Sequence, residues 1–167
     1  MKLKIEKAAP EDAAELLEYL QKIGAETDNL TCGAEGMPFT VEQEAQFIKD
    51  VNDSDRSVLF VARWDGKIIG TANLDVSGRE RLKHRGELGI SVLKEYWGNG
   101  IGTTLIREVL KFAMFHDIEI IYLNVRSDNE RAIALYKKFG FEKTGDMPGC
   151  MKIDGKLIDC DFMCLKM

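Results

Sequence analysis

Gly98, Gly100 and Gly102 alternate with larger residues in the segment Trp97-Gly98-Asn99-Gly100-Ile101-Gly102-Thr103. An apolar run ends just before this segment at Val92, and an amphipathic run begins inside it at Ile101. Glycines lack Cβ atoms, so the backbone can turn tightly and bring its N–H groups against a ligand. A helix start adds unpaired N–H donors and the positive end of the helix dipole. Together these features suit a phosphate group. Thr103 and Thr104 occupy the first helical turn and the first acid, Glu108, comes later, so the positive end is left open for an anion.

Two common phosphate-binding patterns fail on residue identity. A dinucleotide fingerprint needs G-x-G-x-x-G, but counting from Gly98 the last position is Thr103; the turn also follows roughly the fourth strand rather than the first. A nucleoside-triphosphate loop needs Gly-Lys-Ser/Thr, which the chain lacks.

The elements that must hold this turn are legible as hydrophobic periodicity. Strands are expected over Lys2–Lys7, Ser57–Trp64, Lys67–Leu74, Glu87–Val92, Ile118–Val125, Phe141–Thr144 and Leu157–Lys166. Asp65-Gly66 and Asp154-Gly155 are hairpin turn signals. A first helix is expected from Pro10 to about Ile23, with Ala14, Leu17, Leu20 and Ile23 on one face and Gly24 as its stop. Thr40 with Gln43 resembles the cap of a second helix ending near Asn52. A third runs from Ile101 to about His116, and Asn129 caps a fourth over Glu130–Phe139, which Gly140 ends. The turn-rich connection from Ala25 to Phe39 is long for a compact domain and reads either as a binding loop or as a surface connector. The order predicts a mixed α/β sheet in one domain spanning residues 1–167.

Composition narrows the class. Apolar residues make up 45% and charged residues 31%, ordinary values for a globular protein. The net charge of −5, with no basic stripe, argues against nucleic-acid binding. No segment has the length and hydropathy of a membrane span or a signal peptide. Cys32, Cys150, Cys160 and Cys164 form no C-x-x-C pair, and with only His84 and His116 no metal site is expected. These features fit a reducing, cytoplasmic location.

The chain resembles the GNAT superfamily of acyl-CoA-dependent N-acetyltransferases over nearly its whole length. The family's donor motif, [Q/R]-x-x-G-x-[G/A] after a strand, corresponds to the turn at Trp97–Gly102. A second hallmark, Asn-x-x-Ala-x-x-x-Tyr-x-x-x-Gly-Phe, corresponds to Asn129, Ala132, Tyr136, Gly140 and Phe141. Trp97 departs from the usual Arg or Gln. An indole carries no charge for a phosphate, so donor binding there is expected to rest on backbone N–H groups.

The resemblance implies acetyl-CoA as donor, no metal, and a GNAT-type fold: a mixed sheet of about seven strands flanked by about four helices. It implies that the fourth and fifth strands splay, and that backbone near Ile90, Ser91 and Val92 pairs with the pantetheine arm and polarises the thioester. Their side chains read as core packing, which is compatible. Gly98, Asn99, Gly100, Ile101, Gly102 and Thr103 would cradle the pyrophosphate, with Asn129 and Ala132 also touching the donor. Tyr136 would protonate the leaving thiolate; without the motif it reads as an aromatic packing beside Ile133 and Phe139.

The base is less defined. Some relatives carry Glu on the fifth strand where this chain has Asn124, which cannot take a proton. Glu87 is then the best remaining carboxylate, acting directly or through water; its plain reading is a solvent-facing strand residue. Glu35 or Asp28 could instead hold an amine electrostatically. Cys150 has no identifiable base nearby, so direct transfer in a ternary complex is favoured over an acyl-cysteine. The expected activity is acetyl transfer to a small-molecule or peptide primary amine. The competing class is a catalytically silent acyl-CoA-binding module. The loops 25–39 and 145–150 would shape the acceptor cleft, and the final strand, with Phe162, Met163 and Leu165, could serve a homodimer edge.

Overall fold

The computed structural model describes residues 2–167. Seven strands form one sheet in the order β1-β2-β3-β4-β5-β7-β6. The strands are β1 (Leu3–Lys7), β2 (Val58–Trp64), β3 (Lys67–Val76), β4 (Arg85–Val92), β5 (Ile120–Arg126), β6 (Glu142–Ile153) and β7 (Lys156–Lys166). The helices are α1 (Ala13–Glu26), α2 (Val41–Asp53), α3 (Ile101–Phe115) and α4 (Glu130–Lys138). This is the expected mixed sheet with four helices.

Alternation along the strands sorts the layers. Phe60, Ala72 and Ile90 stand in register across β2, β3 and β4, and Phe60 meets Phe112 of α3 edge-on at 6.5 Å. Val61, Thr71 and Ser91 are the neighbours on the opposite face, where Tyr19 of α1 hydrogen-bonds Ser91. So α3 covers one face and α1 the other. Helix α3 buries Ile101, Leu105, Ile106, Val109, Phe112 and Ala113, each large aliphatic contributing roughly 1.5–3 kcal/mol.

The hairpin signals hold. Asp65 and Gly66 both take positive φ, as do Asp154 and Gly155, the pattern of a two-residue turn matched to strand twist. Thr40 and Gln43 form the reciprocal capping box of α2.

Several expectations are corrected. The buried face of α1 is Ala13, Leu16, Tyr19 and Ile23 rather than the face carrying Ala14 and Leu17. A 3₁₀ turn at Pro10–Asp12 precedes the helix. Gly24 does not stop α1, which continues to Glu26. Its missing Cβ instead admits the following loop, since a Cβ there would lie 2.1 Å from the Gly33 carbonyl oxygen. Strand β6 is three times the expected length and absorbs the supposed loop 145–150 through two register shifts, at Lys143/Gly145 and Met147/Met151. Strand β7 pairs with β5 on one side and β6 on the other. Phe162, Met163 and Leu165 therefore lie in an interior strand, not on a free edge.

Arg63 ties β2 to the chain's first elements. Its guanidinium reaches Glu6 at 3.1 Å, Glu15 at 2.8 Å and the Gly66 carbonyl at 3.0 Å, and it also pairs with Asp12. Only 15% of its side chain is exposed. Arg63→Ala leaves three carboxylates facing one another, and should lower unfolding free energy by roughly 2–4 kcal/mol, read as a reduced urea midpoint at unchanged slope.

Candidate active site

Strands β4 and β5 run parallel but pair only at Arg85–Ile120, Gly86–Ile121 and Glu87–Tyr122. Beyond Glu87 each keeps its outer partner, β3 for β4 and β7 for β5. The inner edges of residues 88–92 and 123–126 are thus left without each other. The splay predicted between the fourth and fifth strands is present.

The direction of the backbone groups in this gap follows from the ladder. Leu93 donates its N–H to the Ile69 carbonyl of β3 at 2.9 Å. Successive residues alternate, so Ser91 also addresses β3, while Ile90 and Val92 turn their N–H groups into the gap. Of the three residues expected to offer backbone, two face the opening. Ser91 acts instead through its side chain, 2.8 Å from the Tyr19 hydroxyl and 3.1 Å from Thr71 Oγ1. Burial pushes the Tyr19 phenol up to about 12, so it stays protonated and ties the splayed half of β4 to α1.

The glycine turn lies at the open end of the gap. Gly98 and Gly100 have φ of 81° and 73°, a left-handed conformation that favours glycine. Asn99 donates its side-chain amide to the Tyr96 and Trp97 carbonyls at 3.0 and 3.3 Å, bracing the turn. The first regular helical bond of α3 runs from the Thr104 N–H to the Gly100 carbonyl. The N–H groups of Ile101, Gly102 and Thr103 precede it and have no intrahelical acceptor. Gly102 has a different reason to be glycine: a Cβ there would stand 3.3 Å from Leu135 Cδ2 of α4. Packing of α4 against the start of α3, rather than turn geometry, bears on that position.

Trp97 donates its indole N–H to the Val92 carbonyl at 2.7 Å. The ring carries the Arg131 guanidinium 4.6 Å from its centroid. The turn whose charge seemed missing therefore has a cation stacked upon it. Asn129 caps α4 by accepting the Ala132 N–H at 3.2 Å, so its side chain is occupied by the helix.

Tyr136 lies on α4 with 7% of its surface exposed and its ring 5.8 Å from Phe141. Burial pushes its phenol up to about 12. Glu87 lies on the other face of the sheet, beside Tyr122, whose phenol is raised first by burial and then by the Glu87 charge. It is exposed. It lies three positions from Ile90, roughly 10 Å along a strand, too far for direct contact with the upper gap. Asn124 and Phe162 share this face, and Phe162 stacks on Tyr122 at 5.6 Å.

The connection after α1 is tied down. Glu26 accepts the Lys94 N–H at 3.0 Å, and the Asp28 carbonyl accepts from Arg126 at 3.3 Å. It thus bridges from the end of β4 to the end of β5. Beneath it lies a cavity of about 480 Å³ lined by Glu26, Trp97, Arg126, Asn129 and Arg131 among others. Glu35 lies apart from that cavity and spends its carboxylate on the Gly33 N–H, leaving Asp28 as the loop acid near the gap.

Cys150 and Cys160, expected to be unpaired, form a disulfide across β6 and β7 with Cα atoms 5.9 Å apart. Spacing along the chain gave no cue; Cys160 stands opposite Met147 in the ladder, and the irregular stretch between Met147 and Met151 brings Cys150 to it. A crosslink closing so short a loop contributes about 2–3 kcal/mol. Reduction, or Cys150→Ser, should lower stability by that amount in urea unfolding. Cys32 and Cys164 are free.

The model of the Acetyltransferase (GNAT) family matches residues 14–141. The chain belongs to the GNAT family. An L-amino acid N-acetyltransferase of Escherichia coli is 33% identical over 104 residues, 62% of this chain and 64% of the relative. An N-alpha-acetyltransferase of Mycobacterium tuberculosis is 39% identical over 84 residues, 50% of this chain and 51% of the relative. The chain thus spans between half and two thirds of the length of these relatives. A GNAT-family acetyltransferase from Streptococcus pneumoniae superposes with a TM-score of 0.97 at 34% identity, covering 99% of this chain and all of that one. No helix among the described residues is long and apolar enough to cross a membrane.

Proposed function

We propose that the protein is an acetyl-CoA-dependent N-acetyltransferase acting on the primary α-amine of an amino acid or of a peptide. The observation that carries this reading is the gap between β4 and β5, with a free N–H edge at Ile90 and Val92 and an anion-binding turn at its mouth. A thioester donor is extended, hydrogen-bonding in its pantetheine arm and anionic at one end, and matches both parts. The names of the two amino-group-acetylating relatives support the acceptor class.

In this mechanism the neutral amine attacks the thioester carbonyl directly. A carbon–nitrogen bond forms as the carbon–sulfur bond breaks, the nitrogen loses one proton, and the sulfur leaves as a thiolate that takes its proton from bulk water. The N–H of Ile90 or Val92 stabilises the oxyanion of the tetrahedral intermediate. Glu87 receives the amine proton through water. Tyr136 donates a hydrogen bond to the departing sulfur. With a phenol near 12 and ordinary thiols near about 8.5, complete transfer from Tyr136 is uphill, so stabilisation of the thiolate is its main contribution. The reading includes a single domain, no metal and a cytoplasmic site of action, where the Cys150–Cys160 disulfide would be open to reduction.

The test is an acceptor screen with acetyl-CoA, following free-thiol release and acetylated product by mass spectrometry. Amine-dependent thiol release with an L-amino acid or peptide N-terminus supports the proposal. Tight acetyl-CoA binding without release for any amine would instead favour a silent acyl-CoA-binding module.

A further inference from the structure

We infer that Arg131 is the phosphate-binding cation of the donor site, held in place by Trp97. The inference rests on the acyl-CoA reading of the gap. Arg131 lies in the first turn of α4 and is exposed, a setting in which a long side chain normally moves among many rotamers. Here its guanidinium stacks on an indole that is itself anchored, by its N–H bond to the Val92 carbonyl. Stacking uses the face of the guanidinium and leaves its N–H donors free in the plane, available for bidentate contact with phosphate oxygens.

The neighbouring charges leave Arg131 available. Asp128 spends both carboxylate oxygens on Arg126, at 2.9 and 2.8 Å. Glu26 accepts the Lys94 N–H. Arg131 and Trp97 line the same cavity as Asn129, and the unpaired N–H groups at the start of α3 belong to the same turn as Trp97. Leu135 of α4 also packs against Gly102, which holds α4 against the start of α3. Anion-seeking groups from α3 and α4 therefore converge, and the tryptophan that displaced a charge from the turn carries one supplied by the next helix.

The experiment is calorimetric titration of CoA into the intact protein and into Arg131→Ala, Arg131→Lys and Trp97→Leu variants, at low and at raised salt. Loss of one charge-assisted contact should weaken CoA roughly tenfold in Arg131→Ala. Arg131→Lys should recover part of the loss, and Trp97→Leu should weaken binding by freeing the guanidinium. The difference between wild type and Arg131→Ala should shrink as salt rises. Equal CoA affinity in wild type and Arg131→Ala would overturn the inference while leaving the donor reading intact. Failure of the wild-type protein to bind CoA would overturn the donor reading itself. Circular dichroism of the variants distinguishes weakened binding from a damaged fold.

Discussion

Tyr136→Phe is expected to lower kcat by roughly 100-fold while leaving the affinity for acetyl-CoA within about twofold. The substitution removes a single oxygen from a residue that is otherwise packed against Phe141. The ring remains, so the contacts that place α4 remain as well. Thermal stability should therefore stay close to wild type, which separates a chemical role from a structural one. The pH dependence gives a second sign. Burial holds the phenol protonated up to about 12, above the ordinary value of about 10. The rate should climb with pH as the acceptor amine loses its proton, with no fall through pH 10 from loss of the Tyr136 proton. Initial rates at saturating acetyl-CoA from pH 6 to 10.5 would show it; an unchanged kcat in Tyr136→Phe removes the residue from the mechanism.

Gly100→Val should act on the donor alone. Gly100 has φ of 73°, a region that costs a β-branched residue roughly 1–3 kcal/mol. No atom lies within 4 Å of a Cβ built there, so the harm comes from the backbone rather than from collision. The turn must either carry that strain or swing its N–H groups out of alignment, and the valine side chain also occupies the approach of the phosphates. The apparent KM for acetyl-CoA should rise roughly 100-fold with far-ultraviolet circular dichroism unchanged. Gly102→Ala is the contrast. Its methyl meets the flexible end of Leu135 at 3.3 Å, and a small shift accommodates it, so KM should rise less than about threefold.

What was readable from sequence had short range. The turn at Trp97–Thr103, the Asn129 cap, the Thr40 box and the two Asp-Gly hairpins depend on residues within a few positions of one another, and each stands as expected. What escaped depends on partners far apart in the chain. Strand β7 enters the sheet between β5 and β6, and only that insertion makes Phe162 an interior residue. The disulfide and the length of β6 follow from the same ladder, since Gly145, Pro148 and Gly149 punctuate the sequence like a loop while the bulged strand passes through them. The face of α1 was misplaced because Leu16, Tyr19 and Ile23 keep helical spacing as well as Leu17 and Leu20 do, and only packing against the sheet chooses between the two stripes.

The candidate site was legible in part. The conformation of the glycine turn could be read from residue types and Tyr136 was singled out only by the family motif, whereas the contacts of Ser91 and Arg131 could not be read at all. Ser91 falls beside the gap by number, and ladder alternation turns its backbone toward β3. Arg131 looks like any exposed helix charge until α4 lies against the start of α3, where Trp97 meets it. The amine base left no local signature because Asn124 stands where some relatives carry a carboxylate, and Glu87, the proposed acceptor of the proton, is exposed and some distance along β4 from Ile90.

The central claim is direct acetyl transfer from acetyl-CoA to an amine within the gap between β4 and β5. Single-turnover mixing tests it most directly: protein premixed with acetyl-CoA is combined with an L-amino acid or peptide acceptor, and free thiol and N-acetyl product are followed together. The account predicts no thiol before the amine arrives, then one thiol for each acetylated amine, appearing at the same rate. A burst of thiol without amine would mean an acetylated protein intermediate, and bound acetyl-CoA that releases no thiol with any amine would contradict the account outright.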